Sequence, residues 1–191
     1  KERDAEVTFT FKNRGDQRLL DYIDPTVLQA RLDLLQEQGF NTDEQKFLQG
    51  QTATNGNQFF SAPYLGYIGR NKLPAVMVEY DEETDDIAIN TTGEFPLVTF
   101  WETIVLGEVN EAYFESYVRA HDIDLFEVYD EGDRRLSEKI QTLQDNPDIK
   151  FADFGTRRHF SLRWQKHVLD RLKEECPENL LGTSNVGLAN T

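Results

Sequence analysis

Two short apolar runs near the C-terminal end of the chain each end in a glycine-bearing polar tip that leads towards a helix. The first run passes into Asp153-Phe-Gly-Thr-Arg-Arg158, and the second is Leu180-Leu-Gly-Thr-Ser-Asn185. A strand, a glycine-bearing tip and a helix, twice in succession, predict neighbouring parallel strands of an α/β sheet or barrel. In such folds the loops after the carboxyl ends of the strands carry the active site.

The two tips predict a binding site for an anionic, phosphate-bearing ligand. Arg157 and Arg158 follow the first tip at the expected opening of a helix, and a second helix from Asn185 would present backbone N–H groups. Eight basic or histidine side chains fall within residues 157–173 of a chain whose net charge is −15. A local positive site within an acidic protein can concentrate an anionic substrate. For four of the eight we expect only a solvated helix face: Arg163, Lys166, Arg171 and Lys173.

The composition argues against several classes of protein. Of the 191 residues 38% are hydrophobic and 29% charged, which is ordinary for a soluble globular protein. The charge of −15 argues against a nucleic-acid partner. We recognise no run of about 18 apolar residues and no leader peptide, so we expect neither a membrane span nor export. Cys176 cannot form an internal disulfide, which fits a reducing cytoplasm, and we expect it to be structural.

Hydrophobic periodicity and turn residues predict the elements that precede the two tips. In chain order we expect a strand over 5–11, a helix over 25–39, a capping box of Thr42 with Gln45, a loop over 47–57, a hairpin of strands 75–80 and 87–92, and helices over 96–120 and 134–143. The acidic residues 81–86 form the turn of the hairpin and lack the spacing of a calcium loop.

These elements predict an α/β protein in three parts. Residues 1–120 would form an N-terminal α+β domain, 121–147 a helical connection, and 148–191 the first βα units of a parallel barrel. A complete (β/α)₈ barrel needs about 250 residues, and two buried strands alone would leave unpaired apolar edges. The chain also starts without Met and stops at Thr191, early in a predicted helix. We therefore expect a segment of a larger enzyme, inactive on its own.

The paired tips resemble the first half of the signature of the nicotinate phosphoribosyltransferases, which are type II phosphoribosyltransferases. Segments upstream are similar in the same order: Phe9-Thr-Phe-Lys-Asn-Arg14, Phe59-Phe60 with Tyr64-Leu65, and Gly93-Glu-Phe-Pro-Leu-Val-Thr-Phe-Trp-Glu102. The resemblance covers nearly the whole chain. It implies an N-terminal α+β domain followed by the start of an irregular (β/α) barrel that is incomplete in this chain.

The resemblance implies an enzyme that converts nicotinate and 5-phosphoribosyl-1-pyrophosphate to nicotinate mononucleotide and pyrophosphate. It implies a ligase-type reaction coupled to ATP hydrolysis, which belongs to NAD biosynthesis by salvage. It implies Mg²⁺ and ATP as cofactors, whose ligands are not in this chain, and a cytoplasmic homodimer with shared active sites. Family members carry an Asp-x-Asp-x-Tyr-like motif before the first strand, whose aromatic residue enters the partner subunit's site. A Gly-Thr-x-Ala-His motif after the position of Thr191 holds the histidine that ATP phosphorylates, so we assign no catalytic residue here.

The resemblance further implies seven substrate-binding residues: Phe154, Gly155, Arg157, Gly182, Thr183, Ser184 and Arg14. Arg157 would clamp phosphate or carboxylate with its planar fork, unless it forms a structural salt bridge. Phe154 would form one wall of the slot for the pyridine ring, although a barrel-strand Phe usually fills the core. Arg14, at the end of the first strand, would reach the pyrophosphate in a neighbouring subunit's site, unless it is simply exposed.

The remaining matched residues have structural alternatives of their own. Gly155 and Gly182 would allow a ligand to approach the backbone, or would only form tight turns. Thr183 and Ser184 would donate hydroxyl hydrogen bonds. A neutral Ser184 favours nicotinate, because the nicotinamide-using relatives carry an acidic residue there, but Ser184 could instead cap a helix from Asn185. The chain's three histidines receive no role: His121, His159 and His167.

Three other functions stay open. The protein could be a nicotinamide-using relative of the same family, or a non-catalytic domain that binds a phosphorylated metabolite or a protein partner. A phosphosugar aldolase or isomerase of ordinary barrel type would need Lys, Glu or His at a strand end, and neither tip offers one apart from His159. The non-catalytic domain predicts ligand binding without release of pyrophosphate.

Overall fold

The structure, a computed structural model, describes residues 5–53 and 55–190. It divides into two compact units, Lys1–Glu108 and Val109–Thr191, and the division falls inside one long helix. The boundary that we expected near residue 120 lies within the second unit. Within the described ranges, no helix combines the length and the apolar character that a bilayer span requires.

The first unit is a three-stranded sheet with four helical segments and the start of the long helix. Its elements in chain order are β1 (Glu6–Phe11), a 3₁₀ turn (Leu19–Asp21), α1 (Pro25–Gln38), α2 (Thr42–Gly50), α3 (Ala62–Ile68), β2 (Val76–Asp81), β3 (Asp86–Glu94) and α4 (Phe95–Ala120). The sheet order is β1-β3-β2 and both pairings are antiparallel.

The predicted hairpin and first strand are confirmed. Strand β2 pairs with β3 through Val78 opposite Ile89, and residue burial along β1 alternates as the sequence pattern required. The core includes Leu32, Ile89 and Trp101, each with no exposed surface, and the Trp101 ring N–H donates to the carbonyl oxygen of Pro74 at 2.8 Å. The apolar stripes of helix and strand therefore do face one interior.

Local details of the first unit differ from the prediction. The capping box of α2 is formed by Asn41 and Glu44, one residue earlier than the predicted pair. The Asn41 side chain accepts from the backbone N–H of Glu44, and the Glu44 carboxylate accepts from the backbone N–H of Asn41. Residues 47–50 continue α2, so the loop predicted over 47–57 was wrong in its first turn. Our sequence reading also did not identify α3, a short helix capped by Ser61.

The second unit contains the rest of α4, then α5 (Leu125–Gln144), β4 (Phe151–Asp153), a 3₁₀ turn (Gly155–Arg158), α6 (Leu162–Glu175), β5 (Leu180–Thr183) and a 3₁₀ turn (Leu188–Asn190). The predicted helix over 134–143 is real but begins earlier, where the Asp124 side chain caps the N–H of Phe126. The core cluster of this unit is Leu136, Ile140, Leu172 and Cys176.

The predicted parallel pairing of β4 with β5 is confirmed. Buried Asn179 fixes the entry to β5, because the two hydrogens of its side-chain NH₂ group are shared among the carbonyl oxygens of Leu143, Asn146 and Ile149. Burial, together with the nearby Glu175 carboxylate, raises the pKa of the Cys176 thiol, as expected of a structural cysteine.

The helix starts after the two tips differ from the prediction. The two arginines lie on the 3₁₀ turn Gly155–Arg158, and α6 begins only at Leu162, where the Ser161 hydroxyl accepts from the N–H of Trp164. A three-residue 3₁₀ turn, Leu188–Asn190, stands where a helix from Asn185 was expected. A full helix N-terminus therefore does not directly follow either tip.

Candidate functional site

The two strand tips lie side by side at the carboxyl edge of the two-stranded sheet. Asp153 is opposite Thr183 in the register, and the N–H of Ser184 donates to the carbonyl oxygen of Asp153 at 2.9 Å. The register shifts between Phe151 and Ala152, which leaves Leu181 as the extra residue, 71% exposed. The pairing brings together two segments that are distant in sequence, so the expectation that the tips share one edge is confirmed.

The Asp153 carboxylate connects three segments around this edge. One oxygen accepts the N–H of Gly155 at 3.1 Å, and the other accepts the Gln165 amide at 3.0 Å and the Thr183 hydroxyl at 2.8 Å. The donors come from the 3₁₀ turn, from α6 and from β5. The geometry of the two tips thus depends on a carboxylate that we had not assigned to the site.

The two glycines at the tips are required for different reasons. A Cβ on Gly155 would lie 2.5 Å from Oε1 of Gln165, whose side chain is buried, so the residue is small because α6 packs directly against it. Gly182 has φ of 150°, a conformation that side chains disfavour, and a Cβ there would meet nothing within 4 Å. Gly155 therefore serves packing and Gly182 serves backbone conformation.

The turn that carries Arg157 is held to α4 at two places. The Asn110 side chain donates to the carbonyl oxygen of Arg157 at 2.8 Å. His159 is buried, and its Nε2 lies 3.3 Å from Oε2 of Glu111, which also accepts the N–H of Leu162. These contacts leave the Arg157 side chain at the surface. His159 thus has a structural contact, while Nδ1 of that ring is buried and has no hydrogen-bond partner among the residues that the structure describes.

Two of the predicted residues are exposed in this chain. Phe154 is 73% exposed, and its role towards a substrate stays a prediction. Ser184 is exposed, and the side chain that caps the following turn is Asn185, whose Oδ1 accepts the N–H of Leu188 at 3.1 Å. Ser184 is therefore not the helix cap considered above.

Thr183 is already engaged by protein groups. Its hydroxyl hydrogen points to the Asp153 carboxylate, and its oxygen accepts the N–H of Asn185 at 3.2 Å. A hydroxyl group has one hydrogen to donate. In this arrangement Thr183 shapes the tip, while its role towards a substrate stays a prediction.

Arg14 belongs to the first unit and is described by itself. Strand β1 ends at Phe11, so Arg14 lies in the following loop, and the expectation that it ends the first strand was wrong. The Asn13 side chain shapes this loop by donating to Gln17 and to buried Asp86 and by accepting the N–H of Gly15. The Arg14 side chain is exposed.

The basic window lies partly on the exposed face of α6 and partly in its contact with α5, so Arg171 does not belong to the solvated face that we expected for it. Asp133 on α5 contacts two residues of α6, His167 at 2.7 Å and Arg171 at 3.2 Å. The hydrogen bond from His167 and the charge of Arg171 hold the pKa of the Asp133 carboxyl below its usual value. Arg163 and Lys166 are exposed. The arginines at the first tip are thus distinct from the ion pairs that join α5 to α6.

A cavity of about 600 Å³ lies elsewhere in the second unit, between α5 and α6. Its walls are mostly apolar, and it contains none of the residues predicted to bind substrate. It is lined by Gly132, Arg135, Leu136, Lys139, Thr142, Leu143, Ile149, Phe151, Trp164, Val168 and Leu172. The predicted substrate-binding residues at the strand tips therefore lie outside this cavity.

Four residues of this arrangement were not predicted from the sequence: Asp153, Gln165, Asn110 and Glu111. Asp153 had a signal, since a carboxylate stood directly at the end of a predicted strand and two residues before a glycine. The other three are polar residues within predicted helices, and only the fold brings them to the turn.

The chain is similar in sequence to known proteins of one enzyme family. The profile of the nicotinate phosphoribosyltransferase (NAPRTase) family matches residues 149–191, the segment that holds both tips. A nicotinate phosphoribosyltransferase of Chromobacterium violaceum is 37% identical over 97% of this chain and 45% of its own length.

Two solved structures share the fold. The nicotinate phosphoribosyltransferase of Porphyromonas gingivalis superposes with a TM-score of 0.81 at 24% identity, over 98% of this chain and 45% of that one. The Vibrio cholerae enzyme gives 0.70 at 22% identity, over 97% and 43%. At these identities the two superpositions establish the fold alone.

The chain has the fold of the matching part of these solved phosphoribosyltransferases, and its two strand tips lie side by side at one sheet edge. The chain spans 45% of the length of its Chromobacterium relative. It is similar over nearly its whole length to nicotinate phosphoribosyltransferases, and residues 149–191 match the profile of that family.

Proposed function

We propose that this chain forms the N-terminal part of an enzyme that joins nicotinate to 5-phosphoribosyl-1-pyrophosphate, giving nicotinate mononucleotide and pyrophosphate with ATP hydrolysis coupled. One structural observation carries the proposal. The exposed Arg157 and the exposed Ser184 stand at adjoining tips of two parallel strands, within the segment that matches the family profile. The 37% identity over nearly the whole chain supports the same function.

In this proposal Arg157 binds the phosphate of the ribose substrate. Its guanidinium offers a planar fork of donors that suits phosphate oxygens. The turn that carries it is fixed by Asn110 and by the Asp153 carboxylate, so the arginine starts from a defined backbone. A fixed donor loses less entropy on binding than a mobile one, which favours the charged transition state.

Phe154 and Ser184 would contact the pyridine ring and its substituent. A phenyl ring that is 73% exposed at a strand tip can stack against a flat heterocycle. Ser184 is neutral, and a carboxylate in its place would repel nicotinate. Gly182 keeps the backbone of the second tip free of a side chain beside this position, whereas Gly155 makes room for Gln165.

The family resemblance also suggests Mg²⁺ for the leaving pyrophosphate, a cytoplasmic homodimer with shared sites in which Arg14 reaches a neighbour, and a phosphorylated histidine. In the described ranges no three His, Cys, Asp or Glu side chains come close enough together to hold a metal ion. We derive no step through Mg²⁺ or ATP.

A side-by-side assay tests the proposal. The whole protein that contains this chain should make nicotinate mononucleotide from nicotinate, while the 191-residue chain alone should show no turnover. The same preparation is offered nicotinamide and quinolinate. Preference for either would contradict the nicotinate assignment, and ligand binding without release of pyrophosphate would favour a non-catalytic domain.

A further inference from the structure

We propose that Asp153 is a positioning residue of this site, which acts through Arg157 and the second tip without touching substrate. Its function would be to hold the 3₁₀ turn and β5 in the one arrangement that presents both tips to the same ligand. The proposal rests on the function proposed above where it is tested by kcat/KM. Its second test, hydrogen exchange at Gly155, is independent of that function.

The contacts of Asp153 span the whole site. Its carboxylate accepts from the Gly155 N–H, the Gln165 amide and the Thr183 hydroxyl, and its backbone carbonyl accepts from the Ser184 N–H, all within 2.8–3.1 Å. A carboxylate has about four acceptor positions, so three of them are filled by protein donors. Hydrogen bonds to an ionised acceptor are stronger than neutral ones, which suits a group that must fix several segments.

The position of these donors links Asp153 to Arg157. Gly155 is the first residue of the turn and Arg157 the third, and the far side of the turn is held by Asn110. Loss of the Asp153 carboxylate would free the start of the turn while its later part stays attached. The guanidinium would then sample several directions. A displacement of about 1 Å in a group that binds the reacting phosphate can cost about 100-fold in rate.

The charge of Asp153 argues for positioning and against ligand contact. A bare carboxylate beside a phosphate would repel it. Here the oxygens face N–H and O–H donors of the protein, so the charge is offset within the site. The same donors explain Gly155, because the Gln165 amide reaches Asp153 across the place where a Cβ would lie.

The test is a double-mutant cycle in the whole protein, with kcat/KM measured for 5-phosphoribosyl-1-pyrophosphate. We expect D153A and R157A each to lose about 100-fold, because each removes the productive placement of the same guanidinium. The double variant should then be within about threefold of R157A, since residues acting through one group are not additive. A loss near the product of the two single losses, or near-normal kcat/KM for D153A, overturns the proposal.

The control and the milder variant use the same chemistry. D148N changes an exposed aspartate in the same segment and should leave kcat/KM within about twofold. D153N keeps the shape of the side chain and one acceptor oxygen. It should therefore fold even if D153A fails to fold, and its kcat/KM should fall about tenfold. If D153N matches D148N, the carboxylate does not position the turn.

Hydrogen exchange gives a readout that does not need activity. The Gly155 amide proton should exchange about tenfold faster in D153N than in D148N, because its acceptor is weakened. If the wild-type protein makes no nicotinate mononucleotide, the proposed function fails, and the exchange result then decides the positioning proposal by itself. Unchanged exchange at Gly155 rejects it.

Discussion

Replacing Gly155 by alanine should destabilise the second unit by about 3 kcal/mol. The added Cβ would lie 2.5 Å from Oε1, 2.6 Å from Nε2 and 2.8 Å from Cδ of Gln165. Atoms cannot approach that closely, so the buried Gln165 side chain must move. Its hydrogen bond to Asp153, 3.0 Å long, would then break.

Two costs and one gain set the size of this effect. Overpacking a dense interior costs about 1–3 kcal/mol, and a buried hydrogen bond left unpaired costs about 1–3 kcal/mol. The alanine also restricts the unfolded chain, which returns about 0.4–1 kcal/mol. The clash therefore dominates, and Gly155→Ala should lower the free energy of unfolding clearly.

Urea unfolding followed by tryptophan fluorescence measures the effect, because Trp164 lies in the same unit. Gly50→Ala is the matched control: a Cβ at this last residue of α2 meets nothing within 4 Å, so the variant should be at least as stable as wild type. In a Gln165→Ala background the cost of Gly155→Ala should fall by at least about 1 kcal/mol. A cost below about 1 kcal/mol in the wild-type background, or an equal cost in both backgrounds, would refute the reasoning.

Three further predictions concern charge. Arg157→Ala in the whole protein should lower kcat/KM by about 100-fold, or ~3 kcal/mol, and Arg157→Lys should restore only part of it, because lysine lacks the planar fork. Ser184→Asp should reduce kcat/KM for nicotinate more than it raises that for nicotinamide, since added repulsion is the easier route to discrimination. Asp86→Asn should cost about 1–3 kcal/mol in urea unfolding at neutral pH, because Asp86 accepts from Asn13 and from two backbone N–H groups.

Each of these has an outcome that contradicts it. Normal kcat/KM for a folded Arg157→Ala variant would leave Arg157 without a role in binding. A nicotinate to nicotinamide ratio unchanged within about twofold would place Ser184 away from the ring substituent.

The effect at Asp86 should also depend on pH. Burial raises the pKa of the Asp86 carboxyl, but the hydrogen bonds outweigh burial and hold it below its usual value. The stabilisation is therefore complete above the ordinary carboxyl pKa of about 4 and is lost as the pH falls through the folded-state pKa. The Asp86→Asn variant should lack this loss of stability at acid pH. If the free energy of unfolding of wild type and variant changes with pH in parallel, Asp86 does not cause the loss.

The sequence by itself determined the strands and the long helices. Alternating Val7, Phe9 and Phe11 predict a strand with one buried face, and the acidic turn after Tyr80 predicts a hairpin. Both follow from periodicity, which depends only on which residues are neighbours along the chain. The glycine-bearing tips likewise predicted parallel strands, because their order of strand, tip and helix is local.

The exact ends of elements were less predictable. The capping box moved from Thr42 to Asn41, since several polar residues in a row can each cap a helix and only the packed structure selects one. The helix expected directly after Gly155 begins instead at Leu162, because a 3₁₀ turn held by Asn110 and Asp153 comes first.

Tertiary structure alone decided how the site is held together. Asp153 and Thr183 are far apart in sequence and become neighbours through parallel pairing. Gln165 is a polar residue of an amphipathic helix, yet it is buried and its amide donates to Asp153 at the strand tip. Sequence patterns encode which face of an element is apolar, whereas a hydrogen-bonded network depends on distances between elements, which only the folded chain sets.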